Sequence, residues 1–124
     1  MTAARQSMGR QAEELVARRL LASGWQIVER NARTRHGELD LVAREGRTLV
    51  FVEVKAGRRG IAFGPERPVL AVDHRKQHRI RRLAATWLAE HRDAPYCTSI
   101  RFDVVGVTYD RRRPVEVEHI RDAF

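Results

Sequence analysis

Two segments joined by a short turn decide how this chain folds: GELDLVA (37–43) and TLVFVEVK (48–55). The first alternates apolar and polar residues, and the second is rich in β-branched residues, and both patterns are typical of β-strands. The connecting stretch REGRT (44–48) contains a glycine in a turn context. The two segments therefore predict a β-hairpin.

The length of the hairpin loop fixes which acidic side chains face each other. A two-residue loop at 46–47 places Asp40 directly opposite Glu53, whereas a loop at 45–46 places Glu38 opposite Glu53. In both registers these carboxylates share one face with Lys55, while a three-residue loop would split them across the two faces. The opposite face is apolar and is expected to contact a core through Leu39, Leu41, Val50, Val52 and Val54.

Opposed carboxylates on neighbouring strands indicate a functional site rather than an ordinary solvent-exposed surface. Their Cβ atoms lie about 5 Å apart, and like charges at that spacing destabilise the pair unless a pKa rises or a cation binds. Two carboxylates suit a hard, oxygen-seeking ion such as Mg²⁺. Lys55 is one of 2 lysines against 22 arginines, and lysine differs from arginine in having a pKa that shifts readily. The alternative interpretation is a solvent-facing hairpin with a weak Glu53–Lys55 surface pair.

The rest of the chain supplies two helices and three strands. Residues 9–23 carry an apolar stripe at helical spacing, and residues 73–91 carry a second one, capped by Asp73. Strands are predicted at 25–30, 99–109 and 115–120, and a basic turn at 30–37. The order α-β-β-β-α-β-β predicts an α/β fold, a mixed β-sheet flanked by helices. We expect a single domain over 1–124, with a flexible tail at 1–8 and a mobile loop at 56–68.

Composition and charge exclude several classes of protein and favour one kind of partner. The 124 residues carry a net charge of +8 and a single cysteine, which excludes an internal disulfide framework and a multi-cysteine zinc site. No apolar run approaches the roughly 20 residues of a membrane span, and the first ten residues lack the apolar core of a secretory signal. We therefore expect a cytoplasmic protein that does not bind membranes. The positive charge favours a polyanionic partner, and DNA is the leading candidate.

Three basic segments are candidates for nucleic-acid binding. One precedes the hairpin, one lies in the predicted mobile loop, and one forms a face of the second helix; the residues are Arg33, Arg35, Arg58, Arg59, Lys76 and Arg79. Phosphate contacts of this kind give affinity and salt dependence without sequence specificity. A solvated basic surface is the alternative for each segment taken alone.

The spacing of the acidic residues resembles a known nuclease motif. An acidic residue, a gap of about a dozen residues and then Glu-x-Lys, here Asp40 followed by Glu53-Val54-Lys55, is similar to the signature of the PD-(D/E)XK nuclease fold. Longer segments resemble the YraN family of uncharacterised bacterial proteins, a family similar to archaeal Holliday-junction resolvases. These segments are GRQAEELVARRLLASGW, ERNARTRHGELDLVAREGRTLVFVEVK, FGPERPVLAVDHRKQHRIRRLA and RFDVVGV.

That resemblance implies a restriction-endonuclease-like fold and metal-dependent hydrolysis of phosphodiester bonds, with branched DNA as a candidate substrate. It implies that Asp40, Glu53 and Glu13 hold Mg²⁺ or Mn²⁺, that Lys55 assists the attacking water, and that the protein forms a homodimer. The chain departs from the family pattern at Leu39, where a proline often stands, and at Ala56-Gly57-Arg58. The alternatives are a catalytically inactive module that binds nucleic acid or a protein partner, and a purely structural hairpin.

Overall fold

One helix, three strands, a second helix and two further strands follow each other along the chain in the computed structural model, which describes residues 3–60 and 67–124. The helices are α1 (Ala3–Ala22) and α2 (His74–Glu90), and a short 3₁₀ helix, Pro68–Ala71, precedes α2. The strands are β1 (Gln26–Thr34), β2 (Gly37–Glu45), β3 (Thr48–Arg58), β4 (Ser99–Tyr109) and β5 (Glu116–Ile120). The predicted element order is confirmed.

The five strands form one mixed sheet in the order β1-β2-β3-β4-β5. Strands β3 and β4 are parallel, and every other neighbouring pair is antiparallel. Because parallel neighbours need a crossover connection, α2 lies in the segment between β3 and β4. The predicted α/β class and the mixed sheet flanked by helices are therefore confirmed.

Both faces of the sheet are buried, each under one helix. On one face Val16 and Leu20 of α1 belong to the same apolar cluster as Val52 and Val54 of β3. On the other face a second cluster joins α2 to the sheet through Ile80, Leu83, Trp87, Phe51, Val42 and Val104. The expectation that Leu39 shares a face with Leu41 is wrong, since Leu39 packs in the α2 cluster and Leu41 in the α1 cluster. The alternation of β2 breaks between these two leucines, at Asp40.

Several element boundaries differ from the sequence expectation. Helix α1 begins at Ala3, so residues 3–8 are helical and do not form the expected tail. Strand β1 continues to Thr34 through the expected basic turn, and β3 continues to Arg58 into the expected loop. Most of that loop, residues 61–66, lies outside the described residues. Neither described helix is long and apolar enough to cross a membrane.

A fully buried carboxylate, Asp103, ties β4 to the end of the chain. Its Oδ1 and Oδ2 accept hydrogen bonds from the Arg101 guanidinium at 2.8 and 3.0 Å, and its Oδ1 also accepts one from the Asp122 backbone N–H at 3.0 Å. His119 Nε2 lies 2.8 Å from Oδ2. Burial alone would raise the pKa of Asp103, but these hydrogen bonds outweigh it and hold the pKa at about 2. Asp103 is therefore an ionised, structural group.

Candidate active site

The hairpin register places Asp40 next to Glu53. Strands β2 and β3 pair with Glu45 opposite Thr48 and Leu41 opposite Val52, which leaves a two-residue loop at 46–47. Gly46 in this loop has a φ of 59°, a conformation that favours glycine. Of the two registers that the sequence left open, the structure has the one in which Asp40 stands opposite Glu53.

The paired region of β2 and β3 ends at Leu41 and Val52, immediately before the two carboxylates. Beyond that point the side chain of Asp40 replaces a backbone carbonyl as hydrogen-bond acceptor. Its Oδ2 accepts a hydrogen bond from the Val54 N–H at 2.8 Å. This contact fixes the Asp40 carboxylate at the place where the two strands part.

Glu53 and Lys55 project side by side from β3. The Lys55 Nζ lies 3.5 Å from Glu53 Oε1, and the side chains are only 23% and 16% exposed, respectively. Burial, followed by the negative charge of Asp40, raises the pKa of Glu53 to about 8, and the Lys55 ammonium opposes that rise. The two acidic groups therefore lie close enough to oppose each other's ionisation.

A third acidic residue approaches from α1. Burial, with the charges of Asp40 and Glu38, raises the pKa of Glu13 to about 7. With its amide nitrogen facing the carboxylates, Asn31 donates hydrogen bonds to Glu13 Oε2 at 2.8 Å and to Glu38 Oε1 at 3.2 Å. Asn31 has a φ of 49°, a strained backbone conformation that asparagine tolerates better than most residues. Glu13 and Glu38 are thus held together at the edge of the site.

Asn31 is the member of this site that the sequence analysis missed. No spacing rule distinguishes it from the neighbouring residues of β1, because its position depends on a local backbone conformation. Its one signal is chemical, since asparagine is enriched among non-glycine residues with positive φ.

Lys76 joins the cluster from the first turn of α2. The Asp73 side chain caps this helix by accepting a hydrogen bond from the Lys76 N–H at 3.0 Å, as predicted for the cap. Contact with the Lys55 side chain, then burial, lowers the pKa of Lys76. Lys55 itself keeps a raised pKa, because contacts with Lys76, Glu53 and Asp40 outweigh its burial. Two lysines therefore meet beside the acidic pair.

A glycine opposite Lys55 shapes the wall of the site. Gly106 of β4 pairs with Lys55, and a Cβ at Gly106 would lie 2.8 Å from Val69 Cγ1. Only a residue without a side chain lets the 3₁₀ helix approach β4 this closely. Val69 is thereby buried against Gly106.

The structure separates the six predicted DNA-binding residues into different surroundings. Arg79 packs beside the β1–β2 turn, with its Nη2 3.3 Å from the position a Cβ would take on Gly37. Arg33 is exposed on β1, and Arg35 lies 4.0 Å from Glu90. Arg58 is exposed at the end of β3.

Arg59 has a structural role that the sequence did not indicate. Its guanidinium forms ion pairs with Asp110 at 3.1 Å and with Glu116 at 2.7 Å. These contacts join the end of β3 to β5 and to the turn that precedes it. Arg59 is therefore less available to phosphate than its sequence position suggests.

The donor set at the strand ends suits a hard divalent cation. Asp40 and Glu53 offer carboxylate oxygens whose mutual repulsion a cation would relieve, and Mg²⁺ prefers such ligands. Among residues 3–60 and 67–124, no group of three His, Cys, Asp or Glu side chains is arranged to enclose an ion. The site thus fits a metal that takes two protein carboxylates and completes its coordination with water and substrate oxygens.

The raised pKa of Glu53 predicts an unusual stability change. Without divalent ions, replacing Glu53 with glutamine should stabilise the protein at pH 8 by about 1–3 kcal/mol, because it removes a buried charge opposite Asp40. The pKa is raised in the folded state, so the contribution of Glu53 is full below pH 4.5 and is lost as the pH rises through about 8.

Urea unfolding of the wild type and of Glu53→Gln from pH 5 to 8 measures this difference. The matched control is Asp93→Asn, which removes a carboxylate from an exposed position after α2. A variant that is less stable than the wild type at pH 8, or a difference that does not change with pH, contradicts the assignment.

Comparison with known sequences places the chain in a family. The profile of an uncharacterised protein family, UPF0102, matches residues 12–107. The chain belongs to the UPF0102 family. This is the YraN family that the sequence segments resemble, so the resemblance is confirmed. The matched region contains Glu13, Asp40, Glu53, Lys55 and Lys76.

Relatives within UPF0102 match over almost the whole chain. A UPF0102 protein of Frankia alni is 54% identical over 121 residues, covering 98% of this chain and 97% of the relative. Relatives from Rhodococcus opacus and Acidothermus cellulolyticus are 46% and 43% identical, and each alignment covers at least 95% of both chains. The names of these UPF0102 proteins state the family and no activity.

Proposed function

We propose that this protein is a metal-dependent DNA endonuclease that hydrolyses phosphodiester bonds. The observation that carries the proposal is the meeting of Asp40 and Glu53 at the point where β2 and β3 part, with the Lys55 ammonium 3.5 Å from Glu53. Two carboxylates and an amine at one partly buried position are suited to phosphodiester hydrolysis.

Each residue has a distinct task in this proposal. Asp40 and Glu53 hold Mg²⁺ or Mn²⁺. The resemblance also implies Glu13 as a metal ligand, but within the described ranges it does not form a three-residue group with them, so in this proposal it adds negative charge from α1. When bound, such a cation polarises the phosphate and lowers the pKa of a coordinated water. The Val54 N–H keeps Asp40 oriented, and the Lys55 ammonium orients the attacking water and stabilises negative charge at the phosphate.

A basic surface beside the site supports DNA as the substrate. Lys76 lies next to Lys55, and Arg79 packs beside the β1–β2 turn. Arg33 on β1 and Arg35 in that turn are exposed. Phosphate contacts along this surface would position a duplex with its backbone near Asp40 and Glu53. By the family resemblance we also propose a cytoplasmic homodimer, for which sedimentation analysis should give twice the mass of the chain.

The direct test is cleavage by purified protein of branched, flapped and duplex DNA in the presence of Mg²⁺ or Mn²⁺. We expect nicking that depends on the divalent ion and is abolished by chelation. If none of the three substrates is cleaved with either ion, the proposal that the protein is an enzyme is wrong.

A second candidate function is a nuclease-fold module that binds nucleic acid or a protein partner without cleaving it. It is favoured by the basic residues beside the site, Lys76, Arg33 and Arg35, which can bind phosphate without a metal ion. This alternative predicts salt-sensitive DNA binding that is unchanged by divalent ions.

A further inference from the structure

A cleft of about 690 Å³ lies between the start of α1, the end of β3 and the turn after β4. Ser7, Met8 and Gln11 line its α1 side. The cleft is separate from the acidic site, because Gln11 and Glu13 project from α1 about 200° apart at 3.6 residues per turn. It therefore forms a second concave surface, at the ends of β3 and β4.

Three arginines give this cleft its charge: Arg58 from β3, and Arg111 and Arg112 from the turn after β4. Within the described part of the chain, none of the three makes an ion pair. Among the described residues that line the cleft, Asp110 is the one acidic residue, and it is paired with Arg59 at 3.1 Å. The cleft thus keeps a net positive charge that suits an anionic ligand.

The turn that carries two of these arginines is held in place. Asp110 Oδ1 accepts a hydrogen bond from the Arg112 N–H at 2.8 Å, and the Arg59 N–H donates to the Tyr109 carbonyl at 2.9 Å. The Arg59–Asp110 ion pair adds a side-chain link between the same segments. The arginines are therefore presented from a braced turn next to the end of β3.

The walls of the cleft also contain an aromatic ring and uncharged side chains. Tyr109 is partly buried against the α1 cluster and lines the cleft together with Met8 and Gln11. An aromatic ring beside arginines is the combination on which unpaired bases stack while their phosphates are bound. Bases within a duplex are stacked on each other and do not present a free face to Tyr109.

We propose that this cleft binds an unpaired segment of a nucleic-acid strand, with a base against Tyr109 and its phosphates at Arg111 and Arg112. The proposal rests on the proposed function in taking nucleic acid as the partner, and it extends that function by naming the form of the strand. Lys55 and Arg58 stand three residues apart on β3, about 10 Å along the strand, and therefore project to opposite faces of the sheet. A substrate that reaches both places would have its duplex at the acidic site and its single-stranded arm passing around the end of β3 into the cleft.

Fluorescence anisotropy with a labelled ten-nucleotide oligothymidylate and a labelled hairpin duplex, both in EDTA, tests the cleft. We expect Arg111→Gln/Arg112→Gln to weaken binding of the single strand at least about fivefold and to lower its salt slope by about 1.4. Tyr109→Leu should weaken single-strand binding about tenfold and change duplex binding little. The matched control is Arg47→Gln/Arg92→Gln, which removes the same charge from exposed residues outside the cleft.

Two results would overturn the cleft assignment. One is an equal loss of single-strand binding in the control Arg47→Gln/Arg92→Gln and in Arg111→Gln/Arg112→Gln. That result would show that binding depends on the net charge of the protein and not on the cleft. The other is the absence of single-strand binding by the wild type at low salt. Single-strand binding should persist in Asp40→Asn, so a failure of metal-dependent cleavage is distinguishable from a failure of the cleft. If Tyr109→Leu does not fold, the arginine variant decides the test alone.

Discussion

Asp40→Asn is expected to lower the rate of metal-dependent DNA cleavage by about a hundredfold to a thousandfold, the range seen when one electrostatic group is removed from an active site. The substitution keeps the shape of the side chain, and its amide oxygen can still accept the hydrogen bond that the Val54 N–H donates to Asp40. What it removes is the negative charge opposite Glu53. Cleavage should therefore fall while the fold and DNA binding persist.

The measurement is the single-turnover cleavage rate of a branched or flapped DNA substrate, together with DNA affinity in EDTA. The matched control is Asp93→Asn, which removes one carboxylate from an exposed position outside the site. Equal cleavage rates for Asp40→Asn and the wild type would exclude Asp40 from the reaction. A parallel loss of DNA binding would show that the substitution acts on binding instead.

Asp103→Ala is expected to have the largest effect on stability, a loss of about 3–5 kcal/mol in the free energy of unfolding. Asp103 is fully buried, and its removal leaves the Arg101 guanidinium, the His119 ring and the Asp122 N–H without their shared acceptor. Arg101 also contacts Glu45 at 3.0 Å, so the loss extends to the end of β2.

The pH dependence of this effect has a definite sign. The pKa of Asp103 is lowered from 3.8 to about 2 in the folded protein, so its stabilisation is full above pH 3.8 and is lost as the pH falls towards 2. Urea unfolding should show the difference between wild type and Asp103→Ala shrinking over that range. The control Asp93→Ala should change stability by less than about 0.5 kcal/mol, as is usual for exposed sites. Equal stability of Asp103→Ala and wild type would contradict the ionised, paired state.

The hairpin was predictable because strand alternation restricts the carboxylates to few registers. A loop of two residues leaves two pairings, and in both of them Asp40, Glu53 and Lys55 share a face. The sequence cannot choose between those pairings, since the choice depends on which turn residue adopts a positive φ. The structure has Gly46 in that role.

Contacts between elements that are distant in the sequence could not be predicted from sequence patterns. Glu13 is distinguished from Glu14 by packing: Glu13 lies near Asp40, whereas Glu14 turns to Arg18 and Arg30. Arg59 carries the same charge as Arg58 beside it, but its ion pairs with residues of the β4–β5 region assign it a structural role. Asn31 depends on backbone strain, which no periodic pattern reveals.

Isothermal titration of the protein with Mn²⁺ and Mg²⁺, comparing the wild type with Asp40→Asn, tests the central claim most directly. The account predicts saturable binding of the ion by the wild type and a loss of at least about tenfold in affinity for the variant, because one of two charged oxygen ligands is removed. Equal affinity in the two proteins, or no binding by the wild type, would contradict a cation site formed by Asp40 and Glu53.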